Sequence, residues 1–436
     1  MLRFTIMKPH TGLWIFSTFI LLTTSLQGAD RYEDPPIRYS SAIPTNAVSR
    51  LHDSLADGKQ SLEWSEKHGY LPALLNKLGI STNSQVMVFS KTSLQNRHIS
   101  PKTPRAIYFN DDHYVGTVQG GDVLEISTAD PVLGGVFYTI EQARRKIPQL
   151  TRQTDNCLQC HGGGLTRGIP GHIVRSVFPD QNGFPILRAG TFRTYHSSPL
   201  EERWGGWYVT GTHGKQRHMG NVIATETEDE ATIDMEKGAN VTDLSDIVDT
   251  SPYLTPHSDL VALMVLEHQV EMHNLITQAN HDTRLALHDM KTINEVLGNP
   301  PDKITASTKH RIQSVAIKVV DYMLFADEEP LTDTITGTSG FTESFQKAGI
   351  RDKKGRSLRD LDLDDRLFKY PCSYLIYSES FDALPDIIRD AIYRRLYDIL
   401  TGEIDEDTYL YLSNSKTRAI IDILKETKQG LPDYWK

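Results

Sequence analysis

Hydrophobic and polar positions follow different periods in the two halves of this 436-residue chain. Between residues 85 and 140, short runs rich in β-branched and aromatic residues are separated by turn signals such as Asn110-Asp111-Asp112 and Gly120-Gly121. The runs predict strands over residues 86–90, 106–109, 114–118, 123–126 and 136–140. Because short connections join one run to the next, we expect an antiparallel sheet.

The second half of the chain instead repeats its apolar residues at the spacing of a helix. Helices are predicted over Leu260–Leu287, Ile304–Phe325, Asp382–Leu400 and Thr408–Lys428. The apolar run from Tyr370 to Tyr377 is strand-like. Strands first and helices later predict an α+β fold with a sheet-rich N-terminal half and a mainly helical C-terminal half.

The first 29 residues have the pattern of a signal peptide. Arg3 and Lys8 form a basic start, Leu13–Leu26 is apolar, and small residues allow cleavage near residue 28 or 29. We therefore expect an exported, periplasmic protein without a membrane span in its mature chain. Beyond this segment, the sequence suggests a β-rich region over 30–150, opened by a poorly ordered lead-in over 30–60, then a middle segment over 151–225 and a helical region over 226–436.

Acidic residues outnumber basic ones by 56 to 46, for a net charge of −10. Nucleic-acid binders need clustered lysine and arginine, so no nucleic-acid partner is expected. A basic protein partner fits this acidity, although acidity also serves solubility alone.

The middle segment opens with the most informative run of the chain, Cys157-Leu-Gln-Cys-His161, which has the pattern C-x-x-C-H. At this spacing two thiols can add to the vinyl groups of a haem while the histidine becomes the proximal iron ligand. The sequence therefore predicts one covalently bound haem c, held by Cys157 and Cys160, with His161 on the iron.

Two other readings of C-x-x-C stay open. A redox dithiol normally follows a buried apolar strand, whereas the residues before Cys157 are polar and basic. A structural zinc site needs further cysteine or histidine ligands, and no second close cysteine pair is present. The third cysteine, Cys372, is expected to be a small buried residue without a disulfide partner.

The other haem contacts are expected downstream, where histidines are dense. Met219, which lies 58 residues after His161, and His218 are candidates for the distal iron ligand. His196 and His213 are candidate distal acid/base groups, and His213 is also an alternative ligand. Arg203 is expected to pair with a propionate and Trp204 to pack on the porphyrin, while the carbonyl of Pro170 is expected to orient His161.

A row of polar residues lies along one face of the first long predicted helix, since it follows steps of three, four and seven residues. Its members are Glu267, Glu271, Asn274, Gln278, His281 and His288. The glutamate–histidine pairs of di-iron bundles are missing. A solvated helix face is the simplest interpretation, and a proton path or metal site is the alternative.

Four segments resemble a group of large exported bacterial proteins that carry a cytochrome c domain and have no defined reaction. They are Asn110-Asp-Asp, Cys157-Leu-Gln-Cys-His-Gly, Arg203-Trp-Gly-Gly-Trp-Tyr-Val-Thr-Gly and Tyr370-Pro-Cys-Ser-Tyr-Leu-Ile-Tyr. The resemblance runs through most of the mature chain. It implies haem binding and electron transfer and names no substrate.

The sequence favours a monohaem c-type cytochrome that exchanges single electrons with a redox partner protein. The main alternative is a haem c enzyme, such as a peroxidase-like or small-molecule oxidoreductase, with an open distal site. The length of the chain favours this alternative because a substrate pocket would use residues that electron transfer does not need. A haem-based sensor is a third possibility.

Overall fold

The computed structural model describes residues 31–227 and 230–435. The predicted signal peptide lies outside these residues. Strands β1–β6 span Val86–Val88, Arg105–Phe109, His113–Thr117, Val123–Asp130, Gly134–Glu141 and Leu150–Gln153. Strands β7–β11 are shorter and span Arg175–Val177, Thr191–Arg193, Trp207–Tyr208, Thr225–Glu226 and Ala231–Thr232. Helices α1–α9 span Ala47–Ala56, Leu71–Lys77, Leu158–His161, Leu260–Val296, Ala306–Met323, Phe341–Lys347, Glu379–Asp382, Asp386–Thr401 and Asn414–Thr427.

The prediction of an α+β fold is confirmed, since the N-terminal half is rich in strands and the C-terminal half is mainly helical. The main sheet has the order β6-β5-β4-β3-β2-β1-β9, and its neighbours are antiparallel. Strands β1–β6 follow one another as a meander, whereas β9 comes from the middle segment. The chain therefore leaves the sheet at the β6 edge and returns at the opposite edge, beside β1.

The two faces of the sheet have different partners. On one face, alternate residues such as Tyr108, Val115 and Ile140 pack against α1 and α2 in a shared core. On the other face, Tyr114 and Trp207 share a second core with the long helix α4 and the C-terminal helices. The segment between β6 and β9 also lies on this second face, where the alternation of side chains along a strand presents residues 105, 107, 114, 116, 125, 127, 137 and 139.

Helix α4 begins at a strong cap. The buried carboxylate of Asp259 accepts hydrogen bonds from the backbone amides of Val261 and Ala262 and also from those of Thr338 and Ser339. The helix runs to Val296, nine residues beyond the predicted end, and stops just before Gly298, which has a positive φ of 67°. Glycine adopts this conformation without strain and so commonly ends a helix.

Two sequence predictions about local structure were wrong. Residues 31–60 are not a loose lead-in, because Asn46 caps α1 and its residues Val48, Leu51 and Leu55 are buried beneath the sheet. The run 370–377 is not a strand but ends in a short 3-10 helix, Tyr374–Tyr377. An apolar run that is buried on every side shows no regular alternation of polar and apolar residues. The sequence pattern alone therefore cannot distinguish a strand from a helix.

Candidate functional site

The C-x-x-C-H run forms one helical turn. Cys157 precedes α3, and its carbonyl accepts hydrogen bonds from the amides of Cys160 (3.2 Å) and His161 (2.9 Å). Residues three and four apart on a helix lie on one side, so both thiols and the imidazole share a face. Leu158 is buried and anchors the turn, whereas Cys160 is exposed.

His161 is held by its backbone and by one ring nitrogen. Its Nδ1 lies 3.0 Å from the carbonyl oxygen of Gly171, and its own carbonyl accepts a hydrogen bond from the amide of Gly171 at 2.8 Å. The ring packs on Phe137, with 4.8 Å between centroids. Within the described residues Nε2 has no hydrogen-bond partner. Burial lowers the pKa of His161, which favours the neutral imidazole that binds metals.

The prediction that Pro170 orients His161 was wrong by one residue. The carbonyl of Pro170 accepts a hydrogen bond from the amide of Gly135 at 2.8 Å, and Gly171 provides the contact to the imidazole. Helix α4 fixes this stretch, because the side chain of Asn274 accepts from the amide of His172 (2.9 Å) and donates to its carbonyl (2.8 Å).

A cavity of about 520 Å³ opens beside this turn. Its floor is the second face of the sheet, where Ile107, Gly116, Glu125 and Thr139 form one cross-strand row and Tyr114, Ser127 and Phe137 the next. Its walls comprise residues of the C-x-x-C-H turn, residues 172–175 and residues 91–94, with Asn96, Pro185, Leu187, Trp207, Leu266 and Val270. The volume falls in the range of about 300–1,000 Å³ that holds small ligands and cofactors.

Charged groups in the cavity are few and well defined. Arg105 forms an ion pair with Glu125, which Ser93 and Gln95 also hold by hydrogen bonds. Arg175 and Lys91 also line the cavity. Neither of these two cations has a carboxylate partner in the described part of the chain.

Several residues proposed from the sequence do not line this cavity. Met219 is buried with its sulfur 3.5 Å from the hydroxyl oxygen of Ser176. His218 packs edge-on to Trp204, at 5.2 Å between centroids, and against His213 at 4.7 Å. His213 is tied to loop backbone through both ring nitrogens. The loop predicted to supply a distal ligand therefore forms its own buried cluster.

Arg203 and His196 belong to a second buried cluster, in which they contact residues of α4. The guanidinium of Arg203 lies 3.2 Å from Glu267 and donates to the carbonyls of His196 and Ser198. His196 Nδ1 lies 3.0 Å from Nδ1 of His268. Burial raises the pKa of Glu267 to about 7, against the opposing effect of Arg203. Neither Arg203 nor His196 lines the cavity.

The polar row on α4 is not a solvated face, so that prediction was wrong except at its end. Glu267, Glu271, Asn274 and His281 are buried, while His288 is exposed. Arg167 neutralises Glu271, and Asn274 supports the backbone of His172. These buried polar side chains thus pair with charged and backbone groups of the loops that cross the helix. Such pairing is expected because an unpaired polar atom is costly to bury.

Sequence reasoning missed most of the cavity lining. His172 is the second histidine of the lining, and its Nε2 lies 3.1 Å from the hydroxyl oxygen of Ser127. Within the described residues, the lining includes no methionine. Part of this lining could have been predicted from the alternation of side chains along strands β2–β5. In an antiparallel sheet this alternation places Arg105, Ile107, Gly116 and Glu125 on one face.

Comparisons with protein-family models, with curated proteins and with solved structures found no match to this chain. Across residues 31–227 and 230–435, no group of three or more His, Cys, Asp and Glu side chains converges as a metal site. In the same ranges, no helix is both long and apolar enough to cross a membrane.

Proposed function

We propose that this chain is an exported monohaem c-type cytochrome that transfers single electrons. Cys157 and Cys160 would form the two thioether bonds, and His161 would bind the iron through Nε2. The observation that carries the proposal is the unpartnered Nε2 of His161 on the wall of a 520 Å³ cavity, with both thiols on the same helical turn. Haem supplies a one-electron iron couple whose potential the protein tunes.

The surroundings fit a flat, largely apolar cofactor with an anionic edge. Phe137, Ile107, Trp207 and Leu266 provide apolar walls. Gly116 lacks a side chain at the centre of the sheet floor, where Arg105 lies over it. Arg175 has a buried Nε without a partner in the described residues and would pair with a propionate.

The position of the thiols supports electron exchange at the protein surface. Cys160 and its neighbour Gln159 are exposed and line the cavity, so the thioether edge of the cofactor would lie close to solvent. The hydrogen bond from His161 Nδ1 to Gly171 increases the basicity of the imidazole, which tunes the potential of the iron.

The environment of Cys157 argues against a redox dithiol. Such enzymes need a thiolate of low pKa. Here burial, assisted by the charge of Glu125, raises the pKa of the Cys157 thiol to about 11.

The cavity also supports a second candidate function, a haem c enzyme with an open distal site. None of Met219, His218, His213 and His196 lines the cavity. His172 lines it but bonds to Ser127. An iron without a strong sixth ligand would bind peroxide or another small molecule.

The proposal is tested by coexpression with a haem c maturation system and haem staining on denaturing gels. The chain with Cys157→Ser and Cys160→Ser should lose the stain. The matched control is Cys372→Ser, because this third cysteine is buried in the helical core, away from the cavity. Retention of the stain in the double variant, or its absence from the parent chain, would reject the proposal.

A further inference from the structure

Three large apolar side chains are exposed around the mouth of the cavity. The exposed fractions are 57% for Leu94, 53% for Phe184 and 81% for Leu187. Leu94 and Leu187 line the cavity, and Phe184 precedes Pro185, which also lines it. A cluster of exposed apolar residues beside an opening is typical of an interaction surface.

Basic residues surround this apolar cluster. The two segments that contribute most of the cavity lining outside the main sheet, 91–105 and 156–193, contain eight lysines and arginines and one acidic residue, Asp180. In the whole chain acidic residues are in excess, at 56 to 46. The charge of the mouth is therefore opposite to the charge of the protein.

Half of these basic residues are already paired. Arg97, Arg105, Arg167 and Arg188 form ion pairs with Asp122, Glu125, Glu271 and Glu226, respectively. The others are Lys91, Lys102, Arg175 and Arg193, none of which has a carboxylate partner in the described residues. Because Arg175 is assigned to one propionate of the proposed haem, Lys91, Lys102 and Arg193 remain against Asp180 and the second propionate. Lys102 follows Pro101, which lies against Gly183 beside Phe184. The net local field is thus positive.

We propose that this rim, defined by Leu94, Phe184, Leu187, Lys91, Lys102 and Arg193, docks an acidic electron-transfer protein. The inference rests on the proposed haem site. Screening limits charge effects to about 8–10 Å at physiological salt, so the local charge decides the partner rather than the net charge. The acidity of the chain as a whole had suggested a basic partner, and the rim reverses that expectation.

The reaction at the rim is a single electron transfer. The proposed haem, held by Cys157, Cys160 and His161, would supply one electron to the redox centre of the partner, and no bond would form or break and no proton would move. The exposed leucines and phenylalanine would provide the close, dehydrated contact, while the cations would steer the approach.

Small redox reagents of opposite charge measure the local field. The reduced haem protein is mixed in a stopped-flow instrument with ferricyanide and, separately, with tris(phenanthroline)cobalt(III), over a range of salt concentrations. The rate with the anion should fall as salt rises, by about tenfold, and the rate with the cation should rise. The opposite pattern would overturn the inference.

Charge reversal locates the effect at the rim. Lys102→Glu and Arg193→Glu should each slow the ferricyanide reaction several-fold. The matched control is Lys309→Glu, an exposed lysine on α5 in the helical half, which should leave the rate unchanged. Equal effects of Lys309→Glu and Lys102→Glu would mean that only net charge matters, and would reject a local docking site.

Protein reagents then separate a protein partner from a small anion. A plastocyanin with an acidic patch should react faster than a basic mitochondrial cytochrome c, and Leu187→Ser should slow plastocyanin but not ferricyanide. If ferricyanide is attracted while plastocyanin has no advantage, the docking proposal fails. Each variant is first checked for its haem spectrum, so loss of haem, which contradicts the proposed function, is distinguished from loss of docking.

Discussion

The imidazole Nδ1 of His161 lies 3.0 Å from the carbonyl oxygen of Gly171, ten residues further along the chain. The contact fixes the ring through Nδ1, while Nε2 has no hydrogen-bond partner in the described residues. It also couples the site to α4, because Asn274 on that helix holds the backbone of the next residue, His172.

Gly171 should therefore be intolerant of a side chain. A Cβ at this position would lie 2.3 Å from Oδ1 of Asn274, which is engaged with the amide of His172. We expect Gly171→Ala to lower the free energy of unfolding by about 1–3 kcal/mol, as overpacking does, and to shift the reduction potential. The control is Gly163→Ala, where a Cβ meets no atom within 4 Å. Equal behaviour of the two variants in urea unfolding and redox titration would contradict this contact.

The distal coordination can be read from carbon monoxide binding. Because the cavity lining has no methionine within the described residues and His172 bonds to Ser127, we expect the reduced protein to bind carbon monoxide, with a shifted visible spectrum. Such binding would mean an open distal position, which the second candidate function requires and which single-electron transfer does not exclude. Met219→Leu preserves volume and should leave the spectrum and potential unchanged. A reduced spectrum insensitive to carbon monoxide that becomes sensitive in the Met219 variant would establish methionine as the ligand instead.

Glu267 should make stability depend on pH. Its pKa in the folded protein is about 7, above its ordinary value of 4.5. As pH rises from about 4.5 to 7, the unfolded chain loses this proton before the folded chain does, so stability falls, by on the order of 1 kcal/mol per pH unit. Glu267→Gln does not titrate and should flatten the curve of unfolding free energy against pH. An unchanged slope would show that Glu267 is ionised throughout.

The cap of α4 should contribute strongly to stability. Asp259 is fully buried and serves both the helix start and residues 338–339. Asp259→Ala would leave several amides without a partner, and we expect a loss of about 2 kcal/mol or more in thermal or urea unfolding. Ser413, before α9, makes no side-chain capping bond, so Ser413→Ala should cost almost nothing. Comparable losses in the two variants would disprove the special role of Asp259.

The sequence predicted the elements whose patterns are local. Strands β2–β5 and helices α4, α5, α8 and α9 follow from period and turn residues, with ends shifted where proline or glycine intervenes. Pro385, for example, delays α8 to Asp386. Helix α1 was missed because the surrounding residues are polar and only three apolar positions mark its buried side.

The same distinction between local sequence patterns and tertiary structure applies to the residues of the site. C-x-x-C-H is a local motif, so its shared helical face was predictable, as was the burial of Cys372. The rest of the cavity depends on which segments cross the sheet. Proximity in sequence suggested Met219 and His218, but the return of the chain at β9 places the buried cluster of Trp204, His213 and His218 outside the cavity lining. Only tertiary structure brings Lys91 and Arg175 to the cavity.

The central claim is the covalent haem, and the pyridine haemochrome spectrum of the purified protein tests it most directly. The protein is coexpressed with a haem c maturation system and assayed for haem per chain. We predict one haem per chain, with the band position of a haem whose vinyl groups are both saturated by thioether bonds and which acid–organic extraction does not remove. A chain that folds but carries no haem, or releases it on extraction, would contradict the account.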